Sequence, residues 1–271
     1  MTHQYNKSTY LMESDNENKR LATKVNPENF IHSYLDQYII PESRILDIGC
    51  GPAVITEHLA LQHSDISITG IDISSSRLVE AAKNKSTTNL SFTSADIYQM
   101  PFNKNSFDLI FSRFLFEYLQ EPLLALSEIK RICKPGGWVV IQDIDGQFFS
   151  IFPEDQELLK NISNTTHVLE ENFGFDPFVG RKLYYYLKKS PFVDIDIKLE
   201  LYHLLYGKMK PEEANYWNSK LSSVFPKISK YSTIDQTELQ NQINHFMEYL
   251  DREDSLMFSN LFTVYGRNPN E

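Results

Sequence analysis

The chain of 271 residues reads as an α/β protein with a doubly wound, mostly parallel sheet. Three observations predict that class. From Arg44 onward, short apolar runs alternate with segments of helical periodicity, the rhythm of a parallel sheet covered by helices on both faces. The first three runs each end in an aspartate, at Asp47, Asp72 and Asp96, spaced by 25 and 24 residues. A glycine turn, Gly49-Cys50-Gly51, follows the first run and leads into a helix.

Before the sheet, residues 1–40 read as a helical cap. Ser14 with Glu17 fits a capping box, which starts one helix near Asp15. Asn26-Pro27 starts a second, with Phe30, Ile31, Tyr34, Leu35, Tyr38 and Ile39 at helical spacing until Pro41 stops it. Ile45 to Ile48 is then a strand, and Val54, Ile55, His58 and Leu59 mark the helix after the glycine turn. Further strands are predicted at Ile66 to Ile73, Leu90 to Ala95, Phe107 to Ser112 and Trp138 to Ile144, with helices from about Ser75 and from Pro122. Pro135-Gly136-Gly137 closes the latter helix. Past Asp145 come an aromatic-rich loop, a helix over about Glu154 to Asn172, and another over Gly180 to Lys189. Asp194 to Leu199 alternates like a half-exposed strand, residues 211–256 are polar and helical, and Met257 to Tyr265 is a last strand. The count comes to a seven-stranded sheet. Residues 41–271 are therefore expected to form one domain with helical insertions at about 146–180 and 211–256.

Composition narrows the function. With 36 acidic against 26 basic side chains the net charge is -10, a poor match for nucleic acid or an anionic membrane. Two cysteines, Cys50 and Cys133, rule out a disulfide scaffold or a thiolate metal cluster. The N-terminus lacks the layout of a signal peptide, and no apolar run is long enough to span a membrane, so a cytoplasmic setting is expected. No metal site is predicted. Six acids and one base over residues 231–254 are expected to form a solvated helix face.

The C-terminal strand ends of such a sheet line one crevice, so Asp47, Asp72 and Asp96 are expected to face a common ligand. A dinucleotide is a candidate, because Gly49-x-Gly51 with Asp72 downstream imitates its fingerprint. Val54 replaces the third glycine, however, and Asp47 would repel a pyrophosphate by roughly 4 kcal/mol at 4 Å and an effective dielectric of 20. Three carboxylates favour a cation. S-adenosylmethionine, with an ammonium, a sulfonium, a ribose diol and an adenine amine but no phosphate, meets each of them.

Taken together, Ile45 to Pro52, Gly70 to Ser74, Ala95-Asp96-Ile97 with Met100-Pro101-Phe102, Phe107 to Ile110, and Leu126 to Trp138 with its Lys134-Pro135-Gly136-Gly137 resemble a class I S-adenosylmethionine-dependent methyltransferase. The likeness is to the small-molecule branch of ubiquinone, menaquinone and natural-product enzymes, and it covers roughly residues 41–145. It implies a Rossmann-like methyltransferase fold. It also implies that Asp47, Gly49, Cys50 and Gly51 hold the methionine end, Asp72 the ribose, and Asp96 the adenine amine between Ile73 and Ile97. Ser112 and Arg113 would border the sulfonium. Ala53 stands where many members have glycine, and Tyr118 where many have histidine.

Methyl transfer is an in-line displacement that needs the acceptor held close and dry. Tyr5, Tyr10 and Met12 before the first helix, Asp143 near the end of the fifth strand, and Phe148 and Phe149 after it are expected to line a lidded pocket for a small apolar or aromatic acceptor. Simple packing of the extra helices explains those aromatics equally well. Candidates for a general base are Asp143, His167, His203 and Glu117, and none stands out. The alternative to methyl transfer is the same cofactor fold used for a cyclisation or as a non-catalytic subunit. Monomer and homodimer are both open.

Overall fold

The computed structural model describes residues 25–231 and 234–270. The helix expected near Asp15, and Tyr5, Tyr10 and Met12, lie outside them. Helix α1 (Pro27–Phe30) starts where Asn26 accepts the Asn29 N–H at 3.0 Å. The single helix expected to reach Ile39 instead changes pitch, through a π turn at Ile31–Leu35 and a 3-10 turn at Asp36–Tyr38. The change keeps Phe30, Ile31, Tyr34 and Leu35 all buried and lays Tyr38 against Trp138, with ring centroids 4.5 Å apart.

Strands β1 (Arg44–Ile48), β2 (Ser67–Asp72), β3 (Leu90–Ser94) and β4 (Phe107–Arg113) alternate with α2 (Val54–Gln62) and α3 (Ser75–Asn84), and α4 (Pro122–Ile132) follows β4. The chain continues through β5 (Cys133–Phe152), α5 (Gln156–Phe173), α6 (Val179–Lys189), β6 (Val193–Tyr206), α7 (Pro211–Ile228), α8 (Gln236–Leu250) and β7 (Leu256–Arg267). The seven strands are ordered β3-β2-β1-β4-β5-β7-β6. The first five run parallel, and β7 lies antiparallel between β5 and β6. Strand order reverses between β1 and β4, which opens a crevice at their C-terminal ends.

Period-two alternation divides the core between the two faces of the sheet. Leu46, Ile48, Ile110 and Ile141 pack on α4 and α6 through Leu126, Ile129, Leu183 and Leu187. Ile45, Ile68, Leu109 and Val140 pack on α1, the π turn after it and α2 through Phe30, Leu35 and Leu59.

Two strands are longer than their sequence pattern suggests. The segment expected as an aromatic loop after Asp145 is strand: past an irregularity, Ser150, Ile151 and Phe152 pair with Phe258, Met257 and Leu256. β6 continues past Leu199 until Tyr206 pairs with Leu256. In both cases β7 supplies the partner, a non-local contact invisible to local periodicity. Gly146 and Phe148, at φ +69° and +71°, turn the chain where the register shifts. These extensions root the added helices, since Leu158 of α5, Trp217 of α7 and Phe246 of α8 close a third core with Phe148, Ile151 and Met257.

Helix α6 docks on β5 at its second residue. Arg181 N–H donates to Asp145 Oδ2 at 2.8 Å, and the Arg181 guanidinium forks onto the same buried carboxylate. Gly180 allows that approach: a Cβ there would lie 2.8 Å from Asp145 Cβ and 3.0 Å from Ile144 O. Gly180→Ala is expected to cost about 1–3 kcal/mol by overpacking, read as a fall of several degrees in Tm in a thermal melt.

Candidate active site

The chain leaves β1 one residue after Asp47 and turns through Gly49 and Gly51, at φ +76° and +54°. The N–H groups of Gly49 and Cys50 both donate to Ile71 O, at 2.8 and 2.9 Å, and Gly51 N–H donates to Asp72 Oδ2 at 3.0 Å. A phosphate cradle needs such N–H groups for the anion. In this turn all three serve the protein itself, which removes the dinucleotide reading on geometry. Asp72 Oδ1 accepts Ser74 N–H at 2.8 Å, so the same carboxylate also shapes the start of α3. Asp47 accepts the Thr56 hydroxyl of α2 at 2.5 Å, and Asp96 Oδ1 accepts Tyr98 N–H at 3.0 Å.

Asp47 and Asp72 are only 4% and 6% exposed on neighbouring strands. Burial, followed by the negative charge of Asp72, pushes the Asp47 carboxyl up to about 7 against the pull of the Thr56 hydrogen bond. Burial and the same two aspartates raise the Cys50 thiol, which therefore stays protonated and inert.

Two cavities open around these groups, and a third shares lining residues with them. The first, about 1050 Å³, is lined by Gly49, Asp72, Ile73, Asp96, Ile97 and Tyr98. The second, about 610 Å³, is lined by Asp47, Cys50, Gly51, Arg77 and Arg113. The third, about 1090 Å³, lies among the β5 extension, α5, α7 and α8, with Phe148, Ile162, Leu221, Val224 and Phe246 in its wall. Phe114 borders all three, and Tyr118 borders the first and third. Phe114 has φ +54°, a conformation non-glycine residues seldom adopt, with the Arg113 guanidinium carbon 4.1 Å from its ring centroid.

Nine residues expected at the cofactor therefore line the first two cavities: Asp47, Gly49, Cys50, Gly51, Asp72, Ile73, Asp96, Ile97 and Arg113. Ser112 does not; its hydroxyl donates to Ile48 O at 3.0 Å and ties β4 to β1, because strand alternation turns it away from Arg113. Asp143, expected in the acceptor pocket, is fully buried behind the wall, accepting the N–H groups of Glu117 and Ile144. Phe148 lines the third cavity, whereas the adjacent Phe149 packs on Phe178 at 4.9 Å. His167 is exposed beside Glu171, His203 packs on Tyr202 and Trp217, and neither lines the cavities. Sequence reasoning missed Phe114 and Arg77. Phe114 carried one signal, its place immediately after a central parallel strand.

A family model described as a methyltransferase domain matches residues 46–141. Residues 46–141 belong to that family. The stretch spans β1 to the middle of β5 and contains Asp47, Asp72, Asp96 and Phe114. An uncharacterized methyltransferase of Schizosaccharomyces pombe is 30% identical over 160 residues, 56% of this chain and 57% of the relative. A demethylmenaquinone methyltransferase of Staphylococcus haemolyticus is 30% identical over 131 residues, 47% of this chain and 54% of the relative. The chain thus spans about half the length of the curated relatives it matches. Among solved structures, a Haemonchus contortus phosphoethanolamine N-methyltransferase shares the fold, with a TM-score of 0.57 at 18% identity over 89% of this chain and 53% of that one.

The raised Asp47 carboxyl sets a pH dependence. The folded protein holds this proton up to about pH 7 and the unfolded chain releases it near 3.8, so ionising Asp47 weakens the fold as pH rises between those values. Asp47→Asn is expected to match the parent near pH 4 and to be more stable above pH 7, by at most about 4 kcal/mol. Urea unfolding of both proteins across that range checks it; a constant difference with pH contradicts it.

Proposed function

We propose that the protein transfers a methyl group from S-adenosylmethionine to a lipophilic small molecule. The observation that carries this reading is the change in character across the three cavities that meet at Phe114, from charged to apolar.

The residues fit the cofactor. Asp47 offers a buried anion to the ammonium, and Arg113 and Arg77 offer cations to the carboxylate, so the second cavity suits an amino-acid zwitterion. The glycine turn allows close approach without donating its own N–H groups. Asp72 has lone pairs left for a ribose diol, Asp96 faces an adenine amine, and Ile73 and Ile97 bracket a flat base. S-adenosylmethionine bound there supplies a methyl carbon made electrophilic by its sulfonium. The chain's own residues then position and dry the site: Phe114 and Tyr118 separate the cofactor space from the acceptor space, and α5, α7 and α8 cover the acceptor.

The helices over residues 146–180 and 211–256 act in this reading as the lid, and the acceptor is an apolar or aromatic compound of the quinone or natural-product kind. The methyltransferase names of the relatives favour methyl transfer over cyclisation. Two buried free thiols, Cys50 and Cys133, support a reducing, cytoplasmic setting. Among the described residues no helix is long and apolar enough to cross a membrane.

Titration calorimetry tests the cofactor assignment. S-adenosylhomocysteine is expected to bind, Asp96→Ala to weaken it about tenfold by one lost hydrogen bond, and Asp47→Asn by roughly ten- to a hundredfold. NADH is expected not to bind. Mass spectrometry of incubations with S-adenosylmethionine and lipophilic phenols then looks for paired S-adenosylhomocysteine and methylated product. Binding of NADH in place of S-adenosylhomocysteine overturns the reading.

A further inference from the structure

β6 closes one edge of the sheet, and among the described residues no strand pairs with its outer side. Fifteen large apolar side chains stand exposed among the described residues, and six of them lie on this strand: Val193, Ile197, Leu199, Leu201, Leu204 and Tyr206. An edge with a row of unpaired N–H and C=O groups is a template for another strand unless proline, bulges or charge block it. β6 holds no proline, and its irregularities sit at its two ends. Asp194 and His203 bend the chain at φ +51° and +50°, and the register with β7 shifts between Val193 and Asp196 and between Tyr202 and Leu205. From Asp196 to Tyr202 the pairing with β7 is unbroken, with Leu199 at the centre of that stretch.

We propose that this edge is the interface of a homodimer, in which β6 of a second copy pairs antiparallel with β6 about a two-fold axis at Leu199. The charges select that register. Directly opposite residues of an antiparallel pair lie on the same face of the sheet. An axis at Leu199 therefore sets Lys198 against Glu200 of the second copy, twice, with Ile197 against Leu201 and Asp196 against Tyr202. An axis at Lys198 opposes that lysine to its own copy and Asp196 to Glu200, and an axis at Glu200 opposes two glutamates. Like charges directly opposite are destabilising. Axes at Ile197 or Leu201 run into the register shifts at the ends of the strand, and the former also faces Asp194 with Glu200.

The side chains on the two faces suit the pairing. Lys198 Nζ donates to Ser33 O at 3.0 Å and lies 5.6 Å from the ring centroids of Tyr34 and Tyr265, which holds the ammonium over one face of the sheet. An ammonium has three N–H donors, so that bond leaves donors for Glu200 of the second copy on the same face. The other face carries Ile197, Leu199 and Leu201, the last two 58% and 61% exposed. Pairing lays this apolar row beside its copy and takes part of both out of water.

Sedimentation equilibrium of the full chain, from about 1 to about 100 µM, tests the interface. The mass is expected to rise to twice that of the chain. Leu199→Lys puts two ammonium groups on the axis and is expected to leave a single-chain mass throughout, with the circular dichroism of the parent. Charge exchange tests the register and serves if Leu199→Lys does not fold. Lys198→Glu and Glu200→Lys are each expected to weaken dimerisation about tenfold, and the two together to restore it to within about threefold of the parent, because exchange keeps opposite signs across the axis. A single-chain mass for the parent at every concentration overturns the proposal, since the edge is then bare or covered by its own chain. A parent-like dimer in folded Leu199→Lys, or no recovery in the double variant, overturns it by placing the interface elsewhere.

Discussion

Asp47 and Asp72 lie on adjacent strands, nearly out of contact with water, with Asp72 two residues beyond the Gly70 that pairs with Asp47. Removing two like charges from water side by side is unfavourable unless a cation or a proton relieves it. In the protein alone the relief comes from the raised Asp47 carboxyl and from three hydrogen bonds, given by Thr56, Gly51 and Ser74. Those bonds fix the glycine turn, the first turn of α2 and the start of α3. Buried carboxylates with Arg77 and Arg113 beside them offer both signs of charge, which suits the amino-acid end of the proposed sulfonium nucleoside better than a pyrophosphate.

The second half of the site depends on the antiparallel edge. β5 outruns the parallel strands because β7 pairs with it as far as Phe152 and Leu256. That overhang carries Phe148 and gives α5, α7 and α8 an apolar base to close on. Phe148, Trp217 and Phe246 pack edge to face within 6 Å there, and Phe148 and Phe246 also line the third cavity. Phe148 and Phe246 both pack in the third core and line the third cavity, whereas Phe149 and Trp217 only pack.

The parallel half was legible in the sequence because its signals are local. A strand, an aspartate at its end and a glycine turn occupy consecutive positions, so Asp47, Asp72 and Asp96 could be placed in one crevice before any fold was seen. Ser112 and Asp143 were misplaced for a simple reason: position near a strand end does not say which way the side chain points, and one residue's shift reverses it. The length of β5 and β6 was invisible because the pairing partner, β7, is distant in sequence from both, as in Phe152 with Leu256 and Tyr206 with Leu256. Glu117 drew notice only as one of four candidate bases, with Asp143, His167 and His203. It lines the third cavity with Asp143 behind it, and both relations come from tertiary structure.

A crystal structure of the protein with S-adenosylhomocysteine tests most directly whether the paired aspartates define the site. The amino-acid end should lie between Asp47 and Arg113, the ribose at Asp72, the adenine between Ile73 and Ile97, and the sulfur toward Phe114 and the third cavity. A ligand seated elsewhere, or a sulfur turned away from Phe114 with no path to that cavity, would contradict it.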